Sequence, residues 1–300
     1  MELVTGENDK NRRLDRILRK ALPDHPLPLI HRLLRKGQVF VDGKPSKAQD
    51  RLDCGAKISI PSLKDAPKQA SAPPLPSPNI IWEGPGLIAV NKPAGLEVHG
   101  LTACRAGGQM YPYSLDAMVR SFLADKITPS LSFKSGPLHR LDKPSSGIVV
   151  FSTSIEGARI FSSLMREQKV KKTYLAIVEG NVKNEEIWED ELIRDKEKKK
   201  TFIARKDGEA GKPALTKIKP LSAEGNYSLI TAEIATGRTH QIRAQAAAHG
   251  HPLAGDKKYG GHGKDGLFLH AWKLEFLEYS IEAPLPEDFM KFMEKANLSM

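Results

Sequence analysis

Gly136-Pro137-Leu138-His139-Arg140-Leu141-Asp142-Lys143-Pro144-Ser145-Ser146-Gly147 runs directly into Ile148-Val149-Val150-Phe151, so a loop punctuated by Pro and Gly feeds an apolar strand. One acidic side chain, Asp142, stands on that loop between two basic ones, Arg140 and Lys143. Loops held by a rigid strand are where chemistry tends to sit. Read as a single residue, Asp142 would be one of the many loop aspartates that bond nearby backbone amides. The neighbours argue for more. A carboxylate that acts as a nucleophile must stay ionised and must reach its substrate. A nearby cation keeps its pKa low, and a rigid loop fixes its direction.

Outward from this stretch, residues 79–300 read as one domain. Leu87-Ile88-Ala89-Val90 is a short strand leading into the turn-rich Asn91–Gly100 segment. Leu115, Met118, Val119 and Phe122 mark a helix with Ser114 as N-cap, and Ser154 caps a second one carrying Ile155, Ala158, Phe161, Leu164 and Met165. Strands are expected at 173–179, 201–205, 214–219, 227–235 and 269–277. A helix over 239–249 stops at Gly250, and an amphipathic helix ends the chain. Many strands with few regularly alternating helices predict an α+β fold with a mixed, largely antiparallel sheet rather than a doubly wound parallel one.

Residues 1–61 read as a smaller domain. Leu14, Ile17, Leu18 and Leu22 recur at helical spacing, with Arg12, Arg13, Arg16, Arg19 and Lys20 on the other face. A second helix starts near Pro28 and ends before Gly37. It has Leu29, Ile30, Leu33 and Leu34 on one side and Arg32, Arg35 and Lys36 on the other. Then comes Val39-Phe40-Val41, a turn at Asp42-Gly43, and a strand at Lys57–Ile60. One basic helix is ordinarily a solvated face. Two in succession, with eight Lys/Arg against two Asp from Arg12 to Lys36, point to a face for structured RNA. Between the domains, residues 62–78 hold five prolines and read as a semi-rigid linker that lets both domains grip one RNA.

Composition agrees. A formal charge of +10 over 300 residues favours a polyanionic partner. No run of 18 apolar residues is present, which argues against a membrane-spanning helix, and the N-terminus lacks the apolar core of a secretory signal. Two cysteines without a CxxC pair argue for a reducing, cytoplasmic setting and against a thiolate zinc site. His240, His249, His251, His262 and His270 lack HExxH spacing or thiolate partners, so no metal is expected; there is no P-loop and no GxGxxG after a strand.

Two further blocks carry chemistry. Lys171-Lys172-Thr173-Tyr174-Leu175-Ala176-Ile177-Val178-Glu179-Gly180 alternates as a strand with Tyr174, Ala176 and Val178 on one face, where a core tyrosine is the ordinary reading. Gly237-Arg238-Thr239-His240-Gln241-Ile242-Arg243 places Thr239 as an N-cap and Arg243 one turn into a helix. The chain then continues to His249-Gly250-His251-Pro252-Leu253-Ala254-Gly255-Asp256-Lys257-Lys258-Tyr259-Gly260.

These blocks, in this order, resemble pseudouridine synthases of the ribosomal large-subunit family, and residues 12–60 are similar to an S4-type RNA-binding domain. The resemblance implies a catalytic domain over 79–300 in which Asp142 attacks the RNA nucleotide and Arg243 pairs with Asp142, bidentately if buried. It implies that Tyr174 packs on the uracil and that Arg140, beside His139, fills the space left when the uridine leaves its stack. In the S4-like domain, Arg12, Arg13, Arg16, Arg32, Arg35 and Lys36 would meet phosphates. Two departures stand out. Ser145 stands where the family usually has Thr, and Gln245 stands where it often has His. The implied reaction isomerises uridine without cofactor or metal. The expected target is large-subunit ribosomal RNA, with transfer RNA as an alternative and a non-catalytic ribosome assembly factor as a second kind of reading. A monomer is expected.

Overall fold

The computed structural model describes residues 1–62, 75–100, 102–106, 109–127, 130–204, 210–263 and 266–300, with 102–106 and 109–112 described in backbone only. Residues 63–74, the bulk of the expected linker, lie outside the described residues.

The N-terminal unit packs two helices, α1 (Leu14–Ala21) and α2 (Leu27–Arg35), on small antiparallel pairings. These are β1 (Glu2–Val4), β3 (Phe40–Val41), β4 (Lys44–Pro45) and β6 (Lys57–Ser59) in one sheet, and β2 (Arg12–Arg13) with β5 (Arg51–Leu52) in another. Leu14, Ile17, Leu18, Ile30, Leu33 and Leu34 meet Val39, Leu52 and Ile58 in its core. The apolar spacing therefore did set the inner faces of both helices. The Asp42-Gly43 turn, at positive φ in both residues, closes β3 onto β4, while β6 pairs with β3 from the other side.

The larger unit is built on a ten-stranded sheet. Its strands are β7 (Ile80–Gly84), β8 (Leu87–Lys92), β11 (Ser146–Ser152), β12 (Lys171–Glu179), β13 (Glu186–Asp195), β14 (Lys200–Ile203), β15 (Lys212–Glu224), β16 (Tyr227–Ile234), β17 (Leu269–Phe276) and β18 (Tyr279–Glu282). The order is β14-β13-β15-β16-β12-β17-β11-β8-β7, with β18 beside β17. All pairings are antiparallel except β11 with β17, so the sheet is mixed and largely antiparallel, as the sequence led one to expect. A separate hairpin joins β9 (Thr102–Ala106) to β10 (Gln109–Tyr113).

The apolar run of β11 is explained by cover on both faces. Val149 and Phe151 pack toward α3 (Leu115–Leu123), whereas Ile148 and Val150 pack toward α4 (Ile155–Arg166). Both helices start where expected: Ser114 Oγ accepts the Ala117 amide, and Ser154 Oγ accepts the Gly157 amide. Helix α5 (Gln241–Ala248) covers Ala176, Val178, Trp188, Ile218 and Ile230 on one face of the sheet. Helix α6 (Glu287–Lys295) and the chain end bring Phe289 and Leu298 against Leu175, Ile177 and Leu229 on the other.

The contact between the two units centres on one buried carboxylate. Asp9, in a single 3₁₀ turn, is fully buried and accepts hydrogen bonds from Ser130 Oγ (2.7 Å), the Leu131 and Ser132 amides (2.9 Å each) and Ser132 Oγ. Arg12 donates to Ser132 O at 3.2 Å, Asn8 accepts the Ile155 amide at 3.0 Å, and Leu131 packs on the N-terminal core.

Candidate active site

The site lies where the central strands β16, β12, β17 and β11 sit side by side. A cavity of about 130 Å³ is lined by the 140–145 loop that feeds β11, by Tyr174 of β12, by Ile234 at the end of β16, by Gly237–Arg243, and by Leu269 at the start of β17.

The loop is fixed from several directions. Leu141 is buried in the core among Leu96, Val98, Leu115 and Phe151, so its neighbours are held at the surface of that core. The Ser145 amide donates to Asp142 O at 3.1 Å and closes a turn. Gly147 sits at φ +110°, and a Cβ there would lie 2.3 Å from Ala271 O, so only glycine lets β11 approach β17 this closely. Ser146 Oγ meets His270 Nδ1 at 2.8 Å; His270 Nε2 faces Ala283 O at 3.3 Å and so carries the ring proton. Lys92 is fully buried and donates to Pro93 O (2.9 Å), Leu96 O (2.8 Å) and Lys143 O (3.3 Å), stitching the loop after β8 to the Asp142 loop. Burial lowers its pKa to about 8, against the pull of Asp142.

Asp142 meets Arg243. Arg243 Nη1 lies 3.2 Å from Asp142 Oδ2, joining residues 101 positions apart. The expected bidentate geometry belongs to a different carboxylate. Arg243 Nε and Nη2 each bond Asp256 at 2.7 Å, the fork-to-fork arrangement that a guanidinium favours. The three side chains differ in exposure in a way that separates their tasks. Asp256 is 1% exposed and Arg243 7%, whereas Asp142 keeps 19% and faces the cavity. The Arg243 guanidinium also lies 5.1 Å from the centre of the Tyr259 ring. Burial pushes its pKa down, but Asp256 and Asp142 together outweigh burial and raise it, so the cation is secure.

Helix α5 begins two residues later than expected. His240, not Thr239, is the residue before the first turn, and it adopts a left-handed conformation at φ 57°. Thr239 is not the capping side chain; Thr201 Oγ1 bonds its carbonyl at 2.8 Å, while Gln241 Oε1 reaches back to the Arg238 amide at 3.0 Å. Arg243 therefore sits in the first turn rather than one turn in. His240 lies 11% exposed with Nε2 3.5 Å from Asp142 Oδ2. Its pKa is lowered to about 4 by burial and by the cations of Arg243, Arg194 and Lys258, with Asp142 opposing.

Tyr174 lines the cavity next to a bulge in the β12–β17 register between Thr173 and Tyr174, a device that re-aims a side chain. Burial, reinforced by Asp142, raises its phenol pKa above the ordinary value, so it stays protonated. Arg140 is exposed at the cavity edge. His139 is placed elsewhere: its Nε2 accepts the Val150 amide at 3.1 Å and its ring stacks on Phe161, away from the cavity lining. Gln245 is also turned to the sheet, accepting from Thr216 Oγ1 (2.6 Å) and donating to Trp188 O (3.0 Å) and Asp190 (2.7 Å). Among the N-terminal arginines, Arg13 pairs with Asp15 and Arg12 faces Ser132, whereas Arg16, Arg32, Arg35 and Lys36 are exposed. No cluster of three metal-ligating side chains occurs among the described residues.

The model of the RNA pseudouridylate synthase family matches residues 86–248. The chain is 31% identical over 306 residues to the ribosomal large subunit pseudouridine synthase D of Neisseria meningitidis, covering 95% of this chain and 79% of that one. It is 31% identical over 297 residues to the ribosomal large subunit pseudouridine synthase C of Vibrio vulnificus, covering 93% and 89%. Among solved structures, the human RNA pseudouridylate synthase domain containing 4 superposes with a TM-score of 0.60 at 22% identity, over 74% of this chain and 94% of that one, a likeness of fold. The family match spans the Asp142 loop, β12 and the start of α5, and this chain belongs to the RNA pseudouridylate synthase family.

Proposed function

We propose that this pseudouridine synthase acts on large-subunit ribosomal RNA, with Asp142 as the residue that engages the ribose of the target uridine. One observation carries the assignment of Asp142: it joins a place on the cavity wall, partial exposure and a buried cation on one of its oxygens. The C1′–N1 bond of uridine breaks, the uracil turns in the cavity, and a C1′–C5 bond forms. C5 gives up its proton and N1 ends protonated, so the product is an isomer and no oxidant or cofactor is consumed. Uridine in folded RNA reaches Asp142 only after leaving its stack, and the exposed guanidinium of Arg140 at the cavity edge is suited to occupy the vacated place. Tyr174, protonated, serves as a ring against the uracil rather than as a base. The exposed Arg16, Arg32, Arg35 and Lys36 of an S4-like N-terminal domain hold phosphates. One chain supplies the whole cavity lining, so a monomer suffices, and a cytoplasmic setting suits a ribosomal substrate.

The test is Asp142→Asn on RNA carrying tritium at uridine C5. Tritium release is expected to vanish, with RNA affinity and melting temperature unchanged. Appreciable release by the variant would overturn the assignment of Asp142. Mapping pseudouridine in total RNA from cells with and without the protein tests the substrate, and a change confined to transfer RNA would overturn the ribosomal one.

A further inference from the structure

His240 takes no part in the chemistry argued so far, yet its imidazole is constrained at both nitrogens. Nδ1 lies 2.8 Å from the Tyr259 hydroxyl and 3.4 Å from Arg194 Nη1. A guanidinium can only donate, so Nδ1 is an acceptor. The Tyr259 hydroxyl already accepts the Thr201 amide at 2.8 Å, which leaves its own proton to be directed at Nδ1. Two independent donors therefore leave the ring proton on Nε2. That nitrogen faces Asp142 Oδ2 at 3.5 Å, the oxygen that Arg243 Nη1 also approaches. Oδ1 receives no hydrogen bond from any described residue.

We propose that His240 is a positioning residue: locked with its proton on Nε2 by Tyr259 and Arg194, it joins Arg243 in immobilising Oδ2 of Asp142, so that Oδ1 is the oxygen presented to the ribose. Tyr259 is itself fixed, with Lys200 Nζ 4.9 Å and the Arg243 guanidinium 5.1 Å from its ring centre. The groups that face the imidazole are Asp142, Arg243, Arg194, Lys258 and Tyr259. The four ionised ones comprise three cations and a single anion, so a second proton on the ring is opposed and the imidazole works as a neutral donor. The left-handed backbone is what brings it there: at φ 57° the residue before α5 turns its side chain toward Asp142, while Gln241 Oε1 ties the preceding turn through the Arg238 amide. Because the carboxylate being positioned is the proposed catalytic one, the inference rests on the functional reading above.

The experiment uses the full chain and large-subunit ribosomal RNA carrying tritium at uridine C5. Asparagine tolerates the left-handed conformation but is too short to reach Asp142, whereas the amide of glutamine reaches as far as imidazole Nε2. His240→Asn is expected to lower the single-turnover rate on the order of 10- to 100-fold with unchanged RNA affinity and melting temperature, and His240→Gln to recover part of that loss. Nitrogen NMR of the histidines at neutral pH is expected to report the His240 proton on Nε2. A proton on Nδ1, or a His240→Asn enzyme that turns over as fast as the wild type, overturns the proposal. So does a loss in His240→Asn that resides only in RNA affinity or melting temperature. Absence of tritium release by the wild-type protein overturns the functional reading and this inference with it; normal wild-type turnover beside an unimpaired His240→Asn overturns this inference alone.

Discussion

Asp142 and Asp256 share one arginine, and burial gives them different work. Asp256, with both oxygens on the Arg243 fork, is sealed inside and cannot meet a substrate; it sets the plane of the guanidinium. Asp142 receives the remaining Nη1 and stays open to the cavity. Replacing Asp256 with Asn leaves a buried cation half compensated, a change that typically costs about 3–5 kcal/mol. Urea denaturation of Asp256→Asn is expected to show that loss, and its single-turnover rate should fall as the Arg243 plane is released. The pairing of Asp142 with Arg243 was legible in the sequence, because the two motifs carrying them occur together. The bidentate partner was not. A guanidinium offers five donors, and nothing in residue order says which carboxylate takes the fork; Asp256 was in view within Gly255-Asp256-Lys257-Lys258-Tyr259-Gly260 but had no assigned task. His139 shows the converse. Its neighbours in the motif face the cavity, and only the bond to the Val150 amide reveals that the ring points into the domain.

At the scale of elements, the two serine caps and the apolar helix faces were legible because they rest on local chemistry. Strand β13 was not: Glu186–Asp195 carries six charged side chains and buries only Trp188 and Leu192, so its period was hidden although it pairs with β15 over Glu186–Leu192 and with β14 beyond. The start of α5 was misplaced because Thr239 looks like a cap, while the tertiary bond from Thr201 takes its carbonyl and no side chain caps the helix that starts after His240. The element on which the site most depends is β11. Gly147→Ala places a methyl against the Ala271 backbone in a conformation that penalises any side chain. A loss of about 1–3 kcal/mol or more is expected in chemical denaturation. The isomerisation rate is expected to fall further than global stability alone accounts for, because Asp142 hangs from the start of that strand.

Over the whole molecule, acid stability follows from groups buried in a single charge state. Burial lowers His139 and His270 to about 4, with Lys172 adding to the effect on His139 and the Ala283 carbonyl opposing it on His270. The unfolded chain binds those protons near the ordinary value of 6.5, so stability is present above that pH. It is lost as pH falls from 6.5 toward 4, by at most about 1.4 kcal/mol per pH unit for each ring. Burial pushes Asp9 up, but its bonds from Ser132, Gly6, Leu131 and Ser130 outweigh that and hold it below 3.8. Its contribution therefore persists through the histidine window and disappears only at lower pH. Unfolding followed from pH 8 to pH 3 is expected to weaken first across the histidine range. At neutral pH, Asp9→Ala is expected to enlarge the radius of gyration in solution scattering and to split one unfolding transition into two, as the units part.

If the basic helices hold phosphates as proposed, the same aspartate bears on how an RNA is chosen. With the units clasped through Ser130–Ser132, the basic residues of α1 and α2 and the Asp142 cavity stand a set distance apart, like the jaws of a gauge. On that reading, a folded RNA that offers its phosphates and its extruded uridine at that spacing would engage both at once; one with the same local sequence but a different shape would engage one or the other. Discrimination among uridines would then come from the architecture of the RNA, and the five donors that hold Asp9 would serve selectivity rather than reach.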